Sequence, residues 1–290
     1  MKQPNNFLLI IGAMKCGTTY LFNLLEQHPE IAGCLQKEPN FFSAHPNTSN
    51  PKWNFGMDYY RSLWSNWDKK MHKYAMEAST SYTKSPDYPS APVRISEVAD
   101  ATFRFIYVIR NPLERIRSHI QFMTVFERRR FSAKRGIYQN GRLSQRILDI
   151  TSYAKQLDGY YRYFPPEAIK IILFEDLKAT PEETSDKIFK FLNLPPCKVD
   201  VHLGSQETND SKAISFKPWV YSLRNSININ TSFRKYIPLW LKNYFADDSL
   251  QNFQLTDNKK NDAIEHLRHD LFKLRDEYKV DISKWNLSGV

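Results

Sequence analysis

The sequence is poor in cysteine and contains no apolar run long enough to cross a membrane. Its three cysteines, Cys16, Cys34 and Cys197, are widely spaced in 290 residues and show neither a disulfide framework nor a zinc-ligand spacing. Six residues precede the first apolar run, which is far too short for a spanning helix and has no cleavage-site pattern. These absences predict a cytoplasmic protein without a transmembrane segment.

Glycine is also scarce, and acidic residues (31) are fewer than lysine and arginine (41). Nine glycines against sixteen prolines argue against a low-complexity chain, and a hydrophobic content of 41% can supply the core of one large domain over 1–290. The net charge of +10 suits an anionic ligand, an anionic polymer or a membrane surface, or it is simply a solvated basic face. No zinc finger, RNP-type motif or heptad accompanies this charge, so we expect no nucleic-acid partner. No pattern indicates an oligomeric state.

The most informative stretch is the strand, loop and helix pattern of residues 7–25. An apolar run ends at Gly12, and a helix pattern begins at Gly17, so the two glycines have the spacing of the P-loop consensus G-x-x-x-x-G-K-[ST]. Thr18 occupies the lysine position of that consensus, and the cation is Lys15, inside the loop. The pattern predicts an anion site for a 5′-phosphate whose reacting group lies beside Lys15, without a phosphate chain bridged by magnesium.

Two further segments place charged side chains after predicted strands. The strand 31–35 is followed by Lys37 and Glu38, and Glu38 is a candidate general base or one half of an exposed ion pair. The strand 103–109 ends in Arg110, and Ser118 lies about two helical turns further on. Arg110 and Ser118 suit a second phosphate, although a structural salt bridge is the alternative for Arg110.

These segments resemble the sulfotransferases that use 3′-phosphoadenosine 5′-phosphosulfate (PAPS). The loop resembles their 5′-phosphosulfate loop, and residues 110–118 match the 3′-phosphate motif R-[DN]-P-x-x-R-x-x-S through Arg115. Residues 37–42 match K-E-x-x-F-F, the stretch that carries the catalytic glutamate in the sulfotransferases of heparan sulfate and their bacterial relatives. The resemblance spans 7–285 and points to that glutamate branch.

The resemblance implies an α/β fold, a P-loop-like single domain with a mainly parallel central sheet flanked by helices. It implies PAPS as the donor, no metal, and Lys15 and Glu38 as the catalytic residues. The implied cofactor-binding residues are Lys15, Cys16, Gly17, Thr18, Thr19, Tyr20, Arg110, Ser118, Tyr153 and Lys212. Of these, Cys16 is expected to be a small packing residue rather than a nucleophile.

The acceptor is the open part of the prediction. Residues 77–82 resemble the family segment E-K-[ST]-x-x-Y, but Ala78 replaces the lysine common in polysaccharide enzymes. The acceptor group is therefore a hydroxyl, or an amine, on a carbohydrate, a natural product or another small molecule. Two variable segments are expected on the acceptor side. The first is a basic insertion over 126–150, whose stretch 127–146 is expected to be exposed. The second is an aromatic and basic segment over 213–253 that is either a lid or an interaction surface.

Two other classes of function remain as alternatives at this point. A nucleotide-dependent P-loop kinase needs an acidic magnesium ligand after a core strand, and Glu77 is the candidate for that role. A non-catalytic nucleotide-binding or polyanion-binding protein needs only the fold and the basic charge. The acidic pair Glu175-Asp176 is assigned to structure rather than to catalysis.

Overall fold

The fold is built around a five-stranded parallel sheet. A computed structural model describes residues 3–126, 137–139, 142–205 and 254–287. In these residues the strands are β1 Asn6–Gly12, β2 Ile31–Gly33, β3 Tyr74–Ala78, β4 Thr102–Ile109, β5 Tyr138–Gln139, β6 Arg142–Leu143 and β7 Ile169–Leu173. The main sheet has the order β2-β3-β1-β4-β7, and β5 and β6 form a separate antiparallel pair.

Ten α-helices belong to the described residues and flank the sheet or connect its strands. They are α1 Thr18–Leu25, α2 Gly56–Ser62, α3 Ala91–Ser96, α4 Pro112–Phe126, α5 Gln145–Thr151, α6 Tyr153–Tyr161, α7 Phe174–Ala179, α8 Pro181–Phe191, α9 Val201–Ser205 and α10 Asp257–Asp276. No helix in these ranges combines the length and the apolar character needed to cross a bilayer.

Strand β1 lies at the centre of the sheet. Its apolar run Phe7 to Ile11 is fully buried, as expected for a parallel strand that is covered on both faces. It pairs with β3 on one side and with β4 on the other. The chain fills the β3 and β2 side first and then crosses to β4 and β7. The loops leaving β1 and β4 therefore diverge at the carboxyl edge, where open α/β sheets bind their ligands.

The sequence predicts the central strands correctly and one surface segment incorrectly. The predicted strands 7–11 and 103–109 correspond to β1 and β4, whereas β2 ends two residues earlier than predicted. The exposure predicted for the basic stretch 127–146 is wrong at Leu143 and Ser144, which are buried, and α5 continues from there with Ile147, Leu148 and Ile150 buried as well. Arg146 in the same helix turns outward and pairs with Asp87, with an Nε to Oδ2 distance of 2.6 Å. The predicted lid over 213–253 lies outside the described residues.

The carboxyl-terminal helix α10 closes the structure by packing on the helix that follows α5. Its apolar stripe Leu267, Leu271 and Leu274 is buried, as the helical spacing predicts. The Asp270 carboxylate accepts hydrogen bonds from the backbone N–H groups of Ala154 (3.1 Å) and Lys155 (2.8 Å) in the first turn of α6. Residues at the end of the chain therefore support α6.

Candidate functional site

The loop between β1 and α1 has a backbone that only glycine tolerates at its two ends. Gly12 and Gly17 have φ angles of 146° and 83°. A Cβ on Gly12 would lie 2.0 Å from Thr83 Oγ1, and a Cβ on Gly17 would lie 2.8 Å from the ring of Phe174. Both glycines are thus required by conformation and by space. The loop leads into the first turn of α1. The backbone N–H groups of that turn have no acceptor within the helix and therefore favour an anion.

Lys15 stands in the loop in a left-handed conformation, with a φ of 70°. Its Nζ lies 4.6 Å from the centroid of the Phe122 ring, a favourable cation–π distance. Burial, followed by the positive charges of Arg110 and Arg115, lowers the pKa of Lys15. An anionic ligand would reverse that effect, because opposite charge favours the protonated amine.

The other residues predicted to bind the 5′-phosphate fall into two groups: those at the start of α1, and Cys16, whose backbone N–H already has an acceptor in the loop. Gly17, Thr18, Thr19 and Tyr20 lie at or in the first turn of α1. The Cys16 N–H is occupied within the loop, because it donates to the Ala13 carbonyl at 3.2 Å. The Cys16 side chain is fully buried, and burial raises its thiol pKa to about 11. Its placement is that of a packing residue, as the sequence predicts.

Arg110 follows the last residue of β4, and its guanidinium makes only weak contacts with other side chains of the protein. Its guanidinium carbon lies 4.7 Å from the Phe174 ring centroid. Its Nη2 is 3.4 Å from Glu114 Oε2, whereas Arg117 holds that same oxygen at 2.8 Å. A long, partly exposed pair of this kind contributes little, so Arg110 remains available to an anion. Ser118 is half-buried on α4, the helix that also carries Glu114 and Arg117.

Tyr153 lies behind Arg110. Its ring is fully buried, its hydroxyl donates to the Arg110 carbonyl at 2.8 Å, and its oxygen is 3.9 Å from Cys16 Sγ. This placement fits support of the strand end that carries Arg110. Lys212, the remaining member of the predicted set, lies outside the described residues.

The segment that carries Glu38 is pinned from several sides. The Ala78 N–H donates to the Lys37 carbonyl at 3.0 Å, and the Asn40 side chain donates to the Glu38 carbonyl at 3.0 Å. Phe41 and Phe42 are fully buried, which explains why two aromatic residues follow the Lys-Glu pair. The Glu38 carboxylate is 39% exposed, and its one described ion pair is with Lys37 at 3.4 Å. The backbone is fixed while the carboxylate remains accessible.

Glu77 is a buried carboxylate with its hydrogen-bond needs met by the protein. Its two oxygens accept hydrogen bonds from the hydroxyls of Tyr60 (3.0 Å), Tyr82 (2.6 Å) and Ser79 (2.5 Å). Burial raises the pKa of Glu77 to about 7. The magnesium-ligand role weighed for Glu77 is wrong, because a fully buried carboxyl enclosed by three hydroxyls is not open to a metal–nucleotide complex. The spacing of Ser79 and Tyr82 after Glu77 was the one signal of this cluster in the sequence.

Ser79 connects the buried carboxylate to the Glu38 segment. Its hydroxyl donates to Glu77 and accepts the N–H of Asn40 at 3.0 Å, and Asn40 in turn holds Glu38. The end of β3 therefore positions the segment that follows β2. The contact between Asn40 and Ser79 joins residues 39 positions apart, and no local pattern in the sequence predicts it.

Arg115, like Glu77, has surroundings that the sequence did not reveal. It is fully buried beneath the loop, where Nε donates to the Met14 carbonyl at 3.3 Å and Nη1 donates to Thr151 Oγ1 at 2.8 Å. Its Nη2 has no partner in the described part of the chain. Arg115 thus ties the loop to α4 and brings positive charge behind Lys15.

The acidic pair after β7 has the structural role that the sequence predicts. Glu175 accepts the Asn111 N–H at 3.0 Å and the Trp285 indole N–H at 3.1 Å, and Asp176 pairs with Lys284. These bonds join the start of α4 and the carboxyl-terminal turn to α7.

The loop, the cation at the end of β4 and the parallel strand order define a P-loop-like α/β protein whose anion site lies at the carboxyl edge of its sheet. Comparison with known families agrees with this architecture. The sulfotransferase domain model matches residues 6–262, so the chain belongs to the sulfotransferase domain family.

Individual relatives extend over different parts of the chain. Bifunctional heparan sulfate N-deacetylase/N-sulfotransferase 3 of Mus musculus is 24% identical over 290 residues, covering 92% of this chain and 32% of that protein. Heparan sulfate glucosamine 3-O-sulfotransferase 5 of Mus musculus is 28% identical over 199 residues, covering 65% and 53%. The chain thus spans about a third to about half of the length of these two curated relatives.

A solved structure confirms the predicted fold class. The sulfotransferase from Alicyclobacillus acidocaldarius superposes with a TM-score of 0.66 at 20% sequence identity, over 99% of this chain and 100% of that chain. The family resemblance stated from the motifs is confirmed as well.

Proposed function

We propose that this protein transfers a sulfuryl group from PAPS to a hydroxyl group of a carbohydrate or small molecule. The observation that carries the proposal is the arrangement at one sheet edge of Lys15 in an anion-binding loop, Arg110 at the end of β4 and a fixed but accessible Glu38. Membership of the sulfotransferase domain family supports it.

The loop and the two phosphate sites would bind the donor. Gly17, Thr18 and Thr19 offer backbone N–H and hydroxyl donors to the 5′-phosphate at the start of α1. Arg110 and Ser118 offer a guanidinium and a hydroxyl to the 3′-phosphate. Stacking on Phe174 would hold the Arg110 guanidinium plane ready for that contact.

Glu38 and Lys15 would perform the chemistry. The Glu38 carboxylate takes the proton from the acceptor hydroxyl, whose oxygen then forms the new bond to sulfur. The bond between sulfur and the bridging phosphate oxygen breaks. Lys15 stabilises the negative charge that develops on that oxygen as adenosine 3′,5′-bisphosphate leaves. Fixed positions and local charge thus provide the catalysis.

The names of the relatives bear on the acceptor class. Both mouse proteins are named for action on heparan sulfate, which supports a carbohydrate acceptor here. Ala78 stands where the polysaccharide enzymes commonly have a lysine, so a hydroxylated small molecule stays in the proposal, and so does an amine acceptor. The single domain over 1–290 and the cytoplasmic location stay predictions.

Calorimetric titration tests the donor site. The protein should bind adenosine 3′,5′-bisphosphate without a divalent metal, and Arg110→Ala should weaken that binding at least 10-fold, because charged hydrogen bonds to phosphate are lost. Arg104→Ala is the matched control, because Arg104 lies near the opposite end of the same strand and donates to the Glu167 carbonyl. Binding of ATP only with magnesium, and no binding of the bisphosphate, would make a kinase the better assignment.

A turnover assay distinguishes a sulfotransferase from a non-catalytic nucleotide-binding protein. Release of bisphosphate from PAPS in the presence of a panel of sugar, phenol and amine acceptors should exceed release without acceptor. Tight bisphosphate binding with no acceptor-dependent release over such a panel would favour the binding protein.

A further inference from the structure

The aromatic ring of Phe122 lies against the candidate catalytic cation. The Lys15 Nζ is 4.6 Å from the centroid of this ring, within the range of a favourable cation–π contact. Phe122 is half-buried in the second half of α4, whereas Lys15 belongs to the loop after β1. The matched 3′-phosphate motif ends at Ser118, so the sequence motifs assign no role to Phe122.

The partner of the Lys15 ammonium is thus uncharged. No ion pair between described residues involves Lys15. The acidic residue on α4, Glu114, instead pairs with Arg117 at 2.8 Å. Burial, followed by the positive charges of Arg110 and Arg115, lowers the pKa of Lys15. The face of an aromatic ring offsets part of this cost, because it attracts the ammonium electrostatically without neutralising its charge.

One face of α4 contacts the loop at two successive residues. Arg115 and Phe122 are about two helical turns apart, so they lie on the same side of the helix. The Arg115 Nε donates to the Met14 carbonyl at 3.3 Å, and the Phe122 ring contacts the side chain of the next residue, Lys15. Helix α4 therefore holds the backbone of the loop with one residue and its cation with another.

The candidate cation for the 3′-phosphate has the same kind of partner. The Arg110 guanidinium carbon lies 4.7 Å from the centroid of the Phe174 ring, and its contact with the Glu114 carboxylate is long, at 3.4 Å. Both cations assigned to the donor are therefore held by aromatic rings. A closely paired carboxylate would repel the phosphates of the donor, whereas a ring leaves the positive charge available to them.

We infer that Phe122 is a positioning residue for Lys15, whose ammonium its ring holds in place, still charged, for the anionic donor. The inference rests on the proposed function and deepens it with a residue that acts through Lys15. The ring covers one side of the ammonium and stays there when the donor binds. The N–H groups on the other sides of Nζ then remain free for the oxygens of the donor.

NMR of the protein with ¹³C-methylated lysines measures where the ammonium lies. Reductive methylation keeps the positive charge, and the ring current of Phe122 should shift the methyl signal of Lys15 upfield. Lys15→Arg assigns this signal by removing it. The shift should disappear in Phe122→Leu, persist in Phe122→Tyr, and persist in wild type after adenosine 3′,5′-bisphosphate is added. An unshifted Lys15 signal in wild type, or the same shift in Phe122→Leu, would contradict the inference.

Calorimetric titration of the unmodified protein measures the effect on the donor site. Phe122→Leu should weaken binding of adenosine 3′,5′-bisphosphate about 5-fold, the scale of one cation–π contact, and Phe122→Tyr should restore it. Phe272→Leu is the matched control, because the Phe272 ring centroid lies 4.8 Å from the guanidinium carbon of Arg275 on α10. In a Lys15→Met background, Phe122→Leu should have no further effect, because the ring acts only through the ammonium.

The outcomes distinguish this inference from the proposed function. Equal bisphosphate binding by wild type and Phe122→Leu would refute the positioning role and leave the donor site standing. Tighter binding by Phe122→Leu would mean that the ring competes with the donor for Lys15, and an equal loss in the Lys15→Met background would mean that Phe122 acts through the packing of α4. Both results refute the inference. If wild type fails to bind the bisphosphate at all, the proposed function fails, and this inference fails with it.

Discussion

The two candidate catalytic residues are fixed by different means. Lys15 is held by the conformation of a loop bounded by two glycines with positive φ, and by Arg115, which donates to the carbonyl of the preceding residue, Met14. Glu38 is held through its backbone by contacts from the end of β3, while its carboxylate stays partly in solvent. This difference suits their roles, because the base must meet a variable acceptor and the cation must meet one donor.

A substitution at Glu38 tests whether this residue is the general base. Glu38→Gln keeps the size of the side chain and removes the proton acceptor, so turnover with a competent acceptor should fall on the order of 100-fold or more. Binding of adenosine 3′,5′-bisphosphate should be unchanged, because Glu38 lies on the acceptor side. Glu97→Gln, at an exposed position after α3, is the matched control. Near-normal turnover of Glu38→Gln would remove Glu38 from the base role.

At the scale of single elements, β3 contributes more than a strand to the sheet. It carries the buried Glu77, whose partners come from α2 and from the turn that follows β3. Through Ser79 and Asn40 the same cluster reaches the Glu38 segment. A carboxyl that is costly to bury is retained at the junction of three segments, where its hydrogen bonds specify one arrangement.

The buried carboxyl predicts a pH dependence of stability. Burial raises the pKa of Glu77 from its ordinary value of 4.5 to about 7. Between these pH values the folded state binds more protons than the unfolded state, so the free energy of unfolding falls as pH rises. The loss should be roughly 3 kcal/mol, on the scale of 1.36 kcal/mol per pKa unit.

Urea unfolding of wild type and Glu77→Gln at pH 5 and pH 8 measures this effect. The free energy of unfolding of wild type relative to Glu77→Gln should be lower at pH 8 than at pH 5. The raised pKa of Asp270 acts in the same direction in both proteins and cancels in the comparison. A difference between the two proteins that does not change with pH would mean that Glu77 ionises normally in the folded state.

At the scale of the whole molecule, the far end of the chain completes a helix in the middle. Helix α6 lacks a cap from its own flanking residue, because the Ser152 hydroxyl donates to the Leu148 carbonyl of α5. Asp270 of α10 accepts the two N–H groups that a local cap would take. Since α6 also carries Tyr153 and Gln156, α10 supports the residues that hold the backbone at Arg110 and at Ser85.

Removal of this long-range cap should destabilise the fold. Asp270→Ala should lower the free energy of unfolding by about 1–2 kcal/mol, the usual cost of losing a helix cap. Asp276→Ala, at an exposed position at the end of α10, should have little effect. Thermal or urea unfolding of both variants measures the difference. Equal stability of the two variants would show that α10 does not cap α6.

The local patterns in the sequence determined the main elements and which residues are candidates for the site. An apolar run, two glycines at P-loop spacing, a Lys-Glu pair and Arg110 are each readable within a few residues. Parallel strands then bring their carboxyl ends to one edge. Lys15, Glu38 and Arg110 could therefore be proposed as one site, and the fold class predicted from them is confirmed.

Only the tertiary structure decided which side chains surround these residues. The hydroxyls around Glu77, the carbonyl held by Arg115 and the cap from Asp270 all join residues from different parts of the chain. Sequence periodicity reports which side of an element is buried, but not what it is buried against. For the same reason, the basic stretch 127–146 was predicted to be exposed, although Leu143 and Ser144 within it are buried.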